Sequence, residues 1–354
     1  MYNILVTGAG GTAGVNFIRS ITLSDKYFVV GTERNKFHTL FPNVNKMEVI
    51  PNHSDHNYLD ELRKVIERND IDFLHPQPTP ELQVIAKNRD ALDVETYLPA
   101  PEVVLRDKLA QQRVLERNGI DVAKTIEISS EADLHDIEGK IAFPVWVRAR
   151  RGAGGRLSNK CHSADDVLLW IKLCVSQGRA KWGDFIIQEF LEGRDMAWDS
   201  LWHEGKLVTS YARERLEYPF SQLTLSGITG TPTVARVIHE DKVNLAAEKA
   251  VRAIDPSPHG CYSVDMKEKD GKPMITEVDS GKFHTTIGLW GYAAIKHLKL
   301  PAIYALPNLY LSIGLEKQVP DMPKYDIYPE IYLVRHIDCG AWITDWHNLK
   351  EKVL

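Results

Sequence analysis

Apolar runs separated by glycine-rich turns dominate the start of the chain. Residues 2–7 form an apolar run that predicts a strand, the turn 8–14 (GAGGTAG) follows, and 15–21 has the spacing of an amphipathic helix. A second apolar run at 27–31 leads to Glu33. The order strand, glycine turn, helix, strand predicts the opening of a doubly wound, Rossmann-like α/β domain.

The same patterns continue along the chain and change in character after its middle. Helical spacing predicts helices at 58–68, 102–119, 164–177, 241–254, 288–300 and 307–314. Short apolar or alternating runs predict strands at 71–75, 143–148, 184–191, 196–203, 206–212 and 331–335. The later strands follow one another through tight turns, which is typical of antiparallel, α+β organisation.

One predicted hairpin, at 265–282, carries a group of acids. The Asp-Gly pair at 270–271 favours a tight turn between two strands. Asp265 lies on one strand, and Glu277 and Asp279, two residues apart, share a face of the other. Converging carboxylates repel one another, and Mg²⁺ with a phosphate ligand would relieve that repulsion. The alternative is an exposed turn with ordinary surface acids.

A second charged stretch follows the strand 143–148. The strand ends in Arg148, and the loop 149–156 (ARRGAGGR) adds arginines and glycines. Glycines let backbone N–H groups approach phosphate oxygens, and guanidinium groups supply matching charge. No Gly-Lys-Ser/Thr follows, so the loop is not a Walker A sequence. We expect it to bind phosphate, the alternative being a mobile basic hairpin tip; the expected contacts are Arg151, Gly152, Gly154 and Gly155.

Composition narrows the class of protein. The 354 residues suffice for two or three domains, and 44% hydrophobic with 26% charged residues is ordinary for a soluble protein. A formal charge of −5 argues against a general nucleic-acid binder. Four scattered cysteines, no apolar run of membrane-spanning length and no basic, apolar leader make us expect a reduced cytoplasmic protein without a membrane segment or signal peptide.

Taken in order, these stretches resemble the ATP-grasp superfamily, specifically small proteins similar to one synthetase unit of the carbamoyl phosphate synthase large subunit. The resemblance covers about residues 3–290. It rests on Asp107-Lys108, PVWVRARRGAGG at 144–155, IIQEFLEG at 186–193 and the hairpin acids. It departs from the family where Asp279 replaces the usual Asn and Gly281-Lys282 replaces the usual Arg.

The resemblance implies three parts. They are a Rossmann-like pre-ATP-grasp domain at 1–98, a linker helix with the small lobe and its glycine lid at 99–192, and a large lobe with the metal site at 193–354. Dimers are common among the relatives, which leaves a homodimer open. Carbamoyl phosphate synthesis itself needs further units that a chain of 354 residues does not have room for.

The resemblance also implies a reaction: ATP-dependent activation of a small carboxylate as an acyl phosphate, followed by attack of an amine or, less often, a thiol. Mg²⁺ or Mn²⁺ would be held by Asp265, Glu277 and Asp279. The nucleotide contacts would be Lys108 and Arg148 at the phosphates, Gln188 or Glu189 with Phe190 and Leu191 at the adenine, and Asp195 at the ribose. Arg213, Arg215 and Lys282 are expected to contact the substrate carboxylate or the transferred phosphoryl group.

Two other functions remain open from the sequence. GAGGTAG with Glu33 is also typical of an NAD(P)-dependent short-chain reductase or epimerase, and a Tyr-x-x-x-Lys pair exists at Tyr292 and Lys296. That pair lies much later in the chain than such a fold would place it. The third possibility is a non-catalytic nucleotide-binding protein.

Overall fold

Three β-sheets organise the molecule, for which the computed structural model describes residues 1–152, 155–225, 227–336, 340–345 and 350–352. The first is a four-stranded parallel sheet in the order β3-β2-β1-β4. Its strands are β1 (Tyr2–Thr7), β2 (Tyr27–Glu33), β3 (Lys46–Val49) and β4 (Phe73–Pro76). Helices α2 (Tyr58–Arg68) and α3 (Thr79–Asn88) cover one face, and α1 (Thr12–Ile21) covers the other.

The glycines of the first turn serve close packing. A side-chain carbon at Gly8, where φ is +57°, would lie 2.1 Å from Cγ of Pro78, and one at Gly10 would lie 2.3 Å from the carbonyl oxygen of His38. Close packing of the turn against Pro78 and His38 therefore accounts for these two glycines of GAGGTAG.

The second sheet is small and antiparallel, in the order β5-β8-β6-β7. Its strands are β5 (Thr125–Glu127), β6 (Val145–Ala149), β7 (Asn159–Cys161) and β8 (Phe185–Glu189). The short α6 (Ile137–Lys140) and α7 (Ala164–Ser176) pack on one face and enclose a separate hydrophobic core. The opposite face is left for the cavity described below.

The third sheet has eight strands in the order β13-β12-β9-β10-β11-β14-β15-β16. They are β9 (Asp195–His203), β10 (Lys206–Glu217), β11 (Val234–Ile238), β12 (Gly260–Lys269), β13 (Lys272–Ser280), β14 (Tyr332–His336), β15 (Gly340–Thr344) and β16 (Lys350–Lys352). The expected hairpin is β12–β13, and it turns at Asp270 and Gly271 with Asp265 opposite Glu277. α8 (Asp241–Ile254) packs on one face of this sheet.

Two helices fill the space between the first and third sheets. α9 (Ile287–Lys296) and α10 (Leu306–Glu316) share one hydrophobic core with residues of α1, β1 and the eight-stranded sheet. The fit is tight, because a side-chain carbon at Gly288 would lie 1.6 Å from the carbonyl oxygen of Asn16. The first and third sheets are thereby joined by a continuous core.

The expected helix at 102–119 is broken, which corrects the sequence analysis. The structure has α4 (Pro101–Val104) and α5 (Lys108–Arg117) separated by residues 105–107. Asp107 is the N-cap of α5, and its side chain accepts a hydrogen bond from the backbone N–H of Ala110 at 2.9 Å. Val103 of α4 and Leu115 of α5 pack in the core of the large sheet, and α5 also contacts the small sheet through Arg113, which pairs with Glu127 of β5. In the part of the chain that the structure describes, no helix has the length and apolar character needed to cross a membrane.

Candidate active site

A cavity of about 960 Å³ lies where the three sheets meet. Its walls come from the glycine loop, the β8–β9 connection, the acidic hairpin and the carboxyl end of the parallel sheet. Fifteen of the expected site residues line it: Lys108, Arg148, Arg151, Gly152, Gly155, Gln188, Glu189, Phe190, Leu191, Asp195, Arg215, Asp265, Glu277, Asp279 and Lys282. Gly154 lies outside the described residues. The chain thus brings segments more than 100 residues apart to one cleft.

Glu277 joins the two sides of this cleft. Its Oε1 lies 2.9 Å from Nζ of Lys108, and its Oε2 accepts a hydrogen bond from Nη2 of Arg148 at 2.6 Å. Lys108 also donates to the carbonyl oxygen of Gly152 in the glycine loop at 2.6 Å. All three charged side chains are at most 16% exposed, so solvent screens these ion pairs only weakly. One carboxylate therefore pairs with two cations that were expected to bind phosphate.

Asp265 is likewise paired. Its Oδ1 lies 2.5 Å from Nη2 of Arg215 and 3.0 Å from Nε2 of His284. Burial alone would raise the pKa of Asp265, but these two neighbours outweigh it and hold the pKa well below its usual range. Arg215 was expected to contact substrate; here it bridges Asp265 and Asp195, with Nη1 at 3.1 Å from the latter.

Asp195, the expected ribose contact, also accepts a hydrogen bond from the hydroxyl of Tyr218 at 2.7 Å. Its carboxylate lines the cavity with both oxygens engaged by protein groups. A ribose hydroxyl would therefore have to share these oxygens with Arg215 and Tyr218.

Arg213 is the expected site residue that the structure does not bring into the cavity. Its side chain is 1% exposed and forms an ion pair with the fully buried Asp199. Asp199 also accepts hydrogen bonds from Tyr211 at 3.0 Å and Ser263 at 2.5 Å. A guanidinium enclosed in this way cannot contact a substrate in the cleft, because it has almost no exposed surface and is held on Asp199.

Asp279 and Lys282 form a third pair, at 2.8 Å, on the wall nearest the parallel sheet. Burial opposes the charge of both groups, yet Asp279 raises the pKa of Lys282 and Lys282 lowers the pKa of Asp279. Lys282 is therefore held as a cation at the point where the cavity reaches the first domain.

The connection between the small and large sheets forms another wall. Gln188 is buried and donates to the hydroxyl of Thr125 at 2.9 Å, while Glu189 is paired with Lys269 of the hairpin. Phe190 and Leu191 follow and face the cavity. On the glycine loop, Arg151 is 65% exposed and lies 3.6 Å from Asp107, so it stays accessible to a ligand.

Sequence reasoning missed several lining residues. His284 lies 3.0 Å from both Asp199 and Asp265 and follows the acidic hairpin directly. Its pKa is raised, since the two carboxylates outweigh burial. Trp146, Tyr218 and Gln77 also line the cavity. Trp146 could have been found from the sequence, because it stands two residues before Arg148 on a strand and so shares its face. Nothing in the local sequence marked the others, since their partners are far away in the chain.

The carboxylates do not form a ready metal site in this arrangement. Among the described residues, no group of three or more His, Cys, Asp or Glu side chains is placed to hold a metal ion. The reason is the pairing described above, which directs Asp265, Glu277 and Asp279 toward different cations. The chemistry of the donor set still fits Mg²⁺, which prefers carboxylate oxygens together with phosphate ligands.

Comparison with known proteins identifies the fold. No family model and no curated protein matches the chain. Among solved structures, the L-amino acid ligase of Bacillus licheniformis has a TM-score of 0.67 at 16% identity, over 94% of this chain and 79% of that one. The N5-carboxyaminoimidazole synthetase of Staphylococcus aureus, complexed with ADP, has a TM-score of 0.70 at 14% identity, over 95% and 82%.

A third structure agrees. The carboxyaminoimidazole ribonucleotide synthase of Aspergillus clavatus, complexed with ATP, has a TM-score of 0.68 at 15% identity, over 94% of this chain and 81% of that one. At such low sequence identity, the TM-scores show a shared architecture but not a shared substrate. The architecture confirms the fold expected from the motifs: the chain has the fold of the ATP-grasp ligases.

Proposed function

We propose that the protein is an ATP-dependent ligase that activates a small carboxylate as an acyl phosphate and transfers the acyl group to an amine. The observation that carries the proposal is the pair of ion pairs that Lys108 and Arg148 form with Glu277, between the glycine loop and the acidic hairpin. The phosphates of a nucleoside triphosphate are anions that can take the place of Glu277 at these two cations. The ADP- and ATP-bound proteins of the same fold support this choice of ligand.

Charge balance favours a nucleotide with its metal over either one alone. Five carboxylates of the network (Asp195, Asp199, Asp265, Glu277 and Asp279) face five lysine and arginine side chains (Lys108, Arg148, Arg213, Arg215 and Lys282), and His284, whose pKa is raised, adds to the positive side. A bare divalent cation would have to displace one of the cations. Phosphates can accept Lys108 and Arg148 instead, which releases Glu277.

We propose that Asp265, Glu277 and Asp279 hold Mg²⁺, with Mn²⁺ as a substitute. The ion would neutralise phosphate charge and orient the transferred group. Lys108 and Arg148 hold the phosphates, Arg151 and the glycines at 152 and 155 close over them, and Lys282 binds the carboxylate that attacks. No covalent intermediate with the enzyme is required, so the protein acts through positioning and charge.

The proposed reaction has two steps. A carboxylate oxygen attacks the γ-phosphorus and the bond to the leaving ADP oxygen breaks. The amine then attacks the acyl carbon, phosphate leaves with the electron pair of the C–O bond, and the amine loses a proton. Closure of the glycine loop excludes water, which would hydrolyse the acyl phosphate.

The proposed setting is the cytoplasm, with small-molecule substrates and a homodimer as a further possibility to be measured. The three cysteines among the described residues (Cys161, Cys174 and Cys261) are buried and form no disulfide, which suits a reducing compartment.

The test is an ADP-release screen over amino acids and other small carboxylic acids, each with and without amines. We expect release that depends on a carboxylate and on Mg²⁺. Asp265→Ala and Glu277→Ala should each lower turnover by at least ~10²-fold while the fold survives. Turnover within a few-fold of wild type in both variants would overturn the metal assignment. A thermal shift with NADH but none with ADP would instead favour the reductase alternative.

A further inference from the structure

The two consecutive arginines at the start of the glycine loop have different surroundings. The backbone carbonyl oxygen of Arg150 accepts a hydrogen bond from the N–H of Lys108 at 3.1 Å. Its guanidinium donates to Asp107 at 3.0 Å and to Glu127 at 3.2 Å. Arg151, in contrast, is 65% exposed and lines the cavity, which Arg150 does not. The loop is therefore held at Arg150, and the part that can contact a ligand begins one residue later.

Asp107 bonds to two different elements. Its Oδ1 caps α5 by accepting the backbone N–H of Ala110 at 2.9 Å, and its Oδ2 accepts the hydrogen bond from Arg150. Burial alone would raise the pKa of Asp107, but the N–H of Ala110 and the guanidinium of Arg150 outweigh it and lower the pKa. The carboxylate is only 10% exposed, so solvent screens its ion pair less than a pair on the surface. The start of α5 therefore holds the start of the glycine loop.

The same turn of α5 is bonded to the acidic hairpin. Gln111, buried and four residues after Asp107, donates to the carbonyl oxygen of Val278 at 2.8 Å and accepts the N–H of Val278 at 3.2 Å. Val278 stands between Glu277 and Asp279, two of the proposed metal ligands. Positions four apart lie one above the other on the same side of a helix. A single turn of α5 therefore connects the metal-binding strand with the glycine loop.

We propose that this turn of α5 is a rigid link between the acidic hairpin and the glycine loop, and that Asp107 and Arg150 are positioning residues that raise nucleotide affinity without contacting the nucleotide. The inference rests on the proposed function, since it assigns how the two phosphate-binding walls of that site are held. Neither Asp107 nor Arg150 lines the cavity, whereas Arg151 and Gly152 do. A loop that is held before the ligand arrives loses less conformational entropy on binding, so the ion pair is expected to increase affinity.

The experiment compares the wild type with Asp107→Asn, Arg150→Gln and the double variant. Asparagine is as good an N-cap as aspartate, so Asp107→Asn removes the charge and keeps the cap of α5. Each single variant should bind ADP with Mg²⁺ about fivefold more weakly by calorimetry, and the double variant should be no weaker than either single variant. AMP, which lacks the β-phosphate, should lose less affinity than ADP.

Trypsin cleavage after Arg151 and Arg156 is a second measurement, and it needs no nucleotide. Both arginines are exposed on the glycine loop, and mass spectrometry identifies the fragments. Cleavage at these two positions should be several-fold faster in both single variants than in the wild type. Glu131→Gln is the matched control, because Glu131 forms an ion pair with Lys172 at 2.7 Å outside the cavity. It should behave as the wild type in both measurements.

Additive losses of ADP affinity, or equal losses for ADP and AMP, would overturn the role of Asp107 and Arg150 in holding the loop. Wild-type cleavage rates in both variants would do the same. Failure of the wild type to bind ADP would overturn the ligase proposal, and the trypsin comparison would still decide whether the ion pair holds the loop. Thermal melting shows whether each variant is folded, and Arg150→Gln leaves the cap of α5 in place should Asp107→Asn unfold.

Discussion

Arg213 and Arg215 are two residues apart on one strand and have different roles. Arg213 is enclosed with Asp199 in the protein, whereas Arg215 borders the cavity between Asp195 and Asp265. Their spacing in the sequence made both candidate substrate contacts. The distinction depends on which acid the neighbouring strand presents, and strand register is not contained in the local sequence.

The buried ion pair between Arg213 and Asp199 predicts that replacing the arginine lowers stability without removing a group that contacts the substrate. Arg213→Met removes the guanidinium partner of the buried Asp199 and leaves it with His284, Tyr211 and Ser263, so we expect the free energy of unfolding to fall by up to roughly 3–5 kcal/mol. Arg236→Met is the matched control on the next strand, since its pair with Glu214 is 41% exposed on the arginine side and should contribute about 0–1 kcal/mol. Urea unfolding measures both. Equal losses would contradict the structural role of Arg213.

His75 predicts a pH dependence. It is fully buried, with its ring stacked on Phe17 at 4.0 Å, and burial lowers its pKa from 6.5 to about 4, although a contact with Gln77 opposes this. Between those values the unfolded chain binds a proton that the folded chain does not, so stability falls as pH drops from 6.5 toward 4. At pH 4 this single residue is expected to have lowered the free energy of unfolding by about 3 kcal/mol.

The measurement is unfolding of wild type and His75→Phe at pH 7, 5.5 and 4.5. The variant is expected to be less stable at pH 7, since it removes the hydrogen bond between the His75 ring and the side-chain oxygen of Gln77, and to lose less stability on acidification than wild type. Parallel losses for the two proteins would show that His75 does not titrate on unfolding.

At the scale of elements, the acidic hairpin and the glycine loop were predictable because their signals are local. The turn at 270–271 and the alternation of β6 are contained in a few adjacent residues. The break between α4 and α5 was not, because the helical spacing continues through it. Capping by Asp107 begins α5 at Lys108, and so places this lysine beside Glu277.

The ion pairs of Glu277 predict that replacing this residue changes ADP binding and turnover in opposite directions. Since Glu277 competes with phosphate for Lys108 and Arg148, Glu277→Gln should bind ADP several-fold more tightly than wild type when EDTA removes all metal. The same variant should be inactive with Mg²⁺. Glu127→Gln is the matched control, because Glu127 also pairs with two arginines but does not line the cavity.

Calorimetric titration with ADP in the presence of EDTA measures the affinities of the wild type and both variants. Weaker binding by Glu277→Gln than by wild type would mean that the carboxylate does not occupy the phosphate-binding cations. A similar gain in Glu127→Gln would point to net charge rather than to these two ion pairs.

At the scale of the molecule, the first and third sheets share their core, and the small sheet has its own. We propose on this basis that the division at residues 98 and 192 separates functional parts rather than folding units. The shared core could not be predicted from the sequence, because α9 and α10 are about 200 residues beyond the parallel sheet that they cover.

The contact between α1 and α9 gives a test of this shared core. Gly288→Ala places a methyl group against the backbone of Asn16, so we expect a loss of about 3 kcal/mol or more and a lower melting temperature. Gly139→Ala, in the helix α6, is the control: no atom lies within 4 Å of the added carbon, and stability should stay equal or rise slightly. Melting followed by circular dichroism compares them, and a tolerated Gly288→Ala would mean that the helices can separate.

The close contact between α1 and α9 also limits which parts of this chain can be exchanged with those of another protein. α9 begins three residues after His284, so the loop that carries Lys282 and His284 is anchored to the parallel sheet through the same helix. Replacing residues 1–98 by a foreign segment would therefore disturb the proposed active site unless residues 287–316 were transferred as well. The exchangeable module for building chimeras is discontinuous in sequence: residues 1–98 together with the two distant helices.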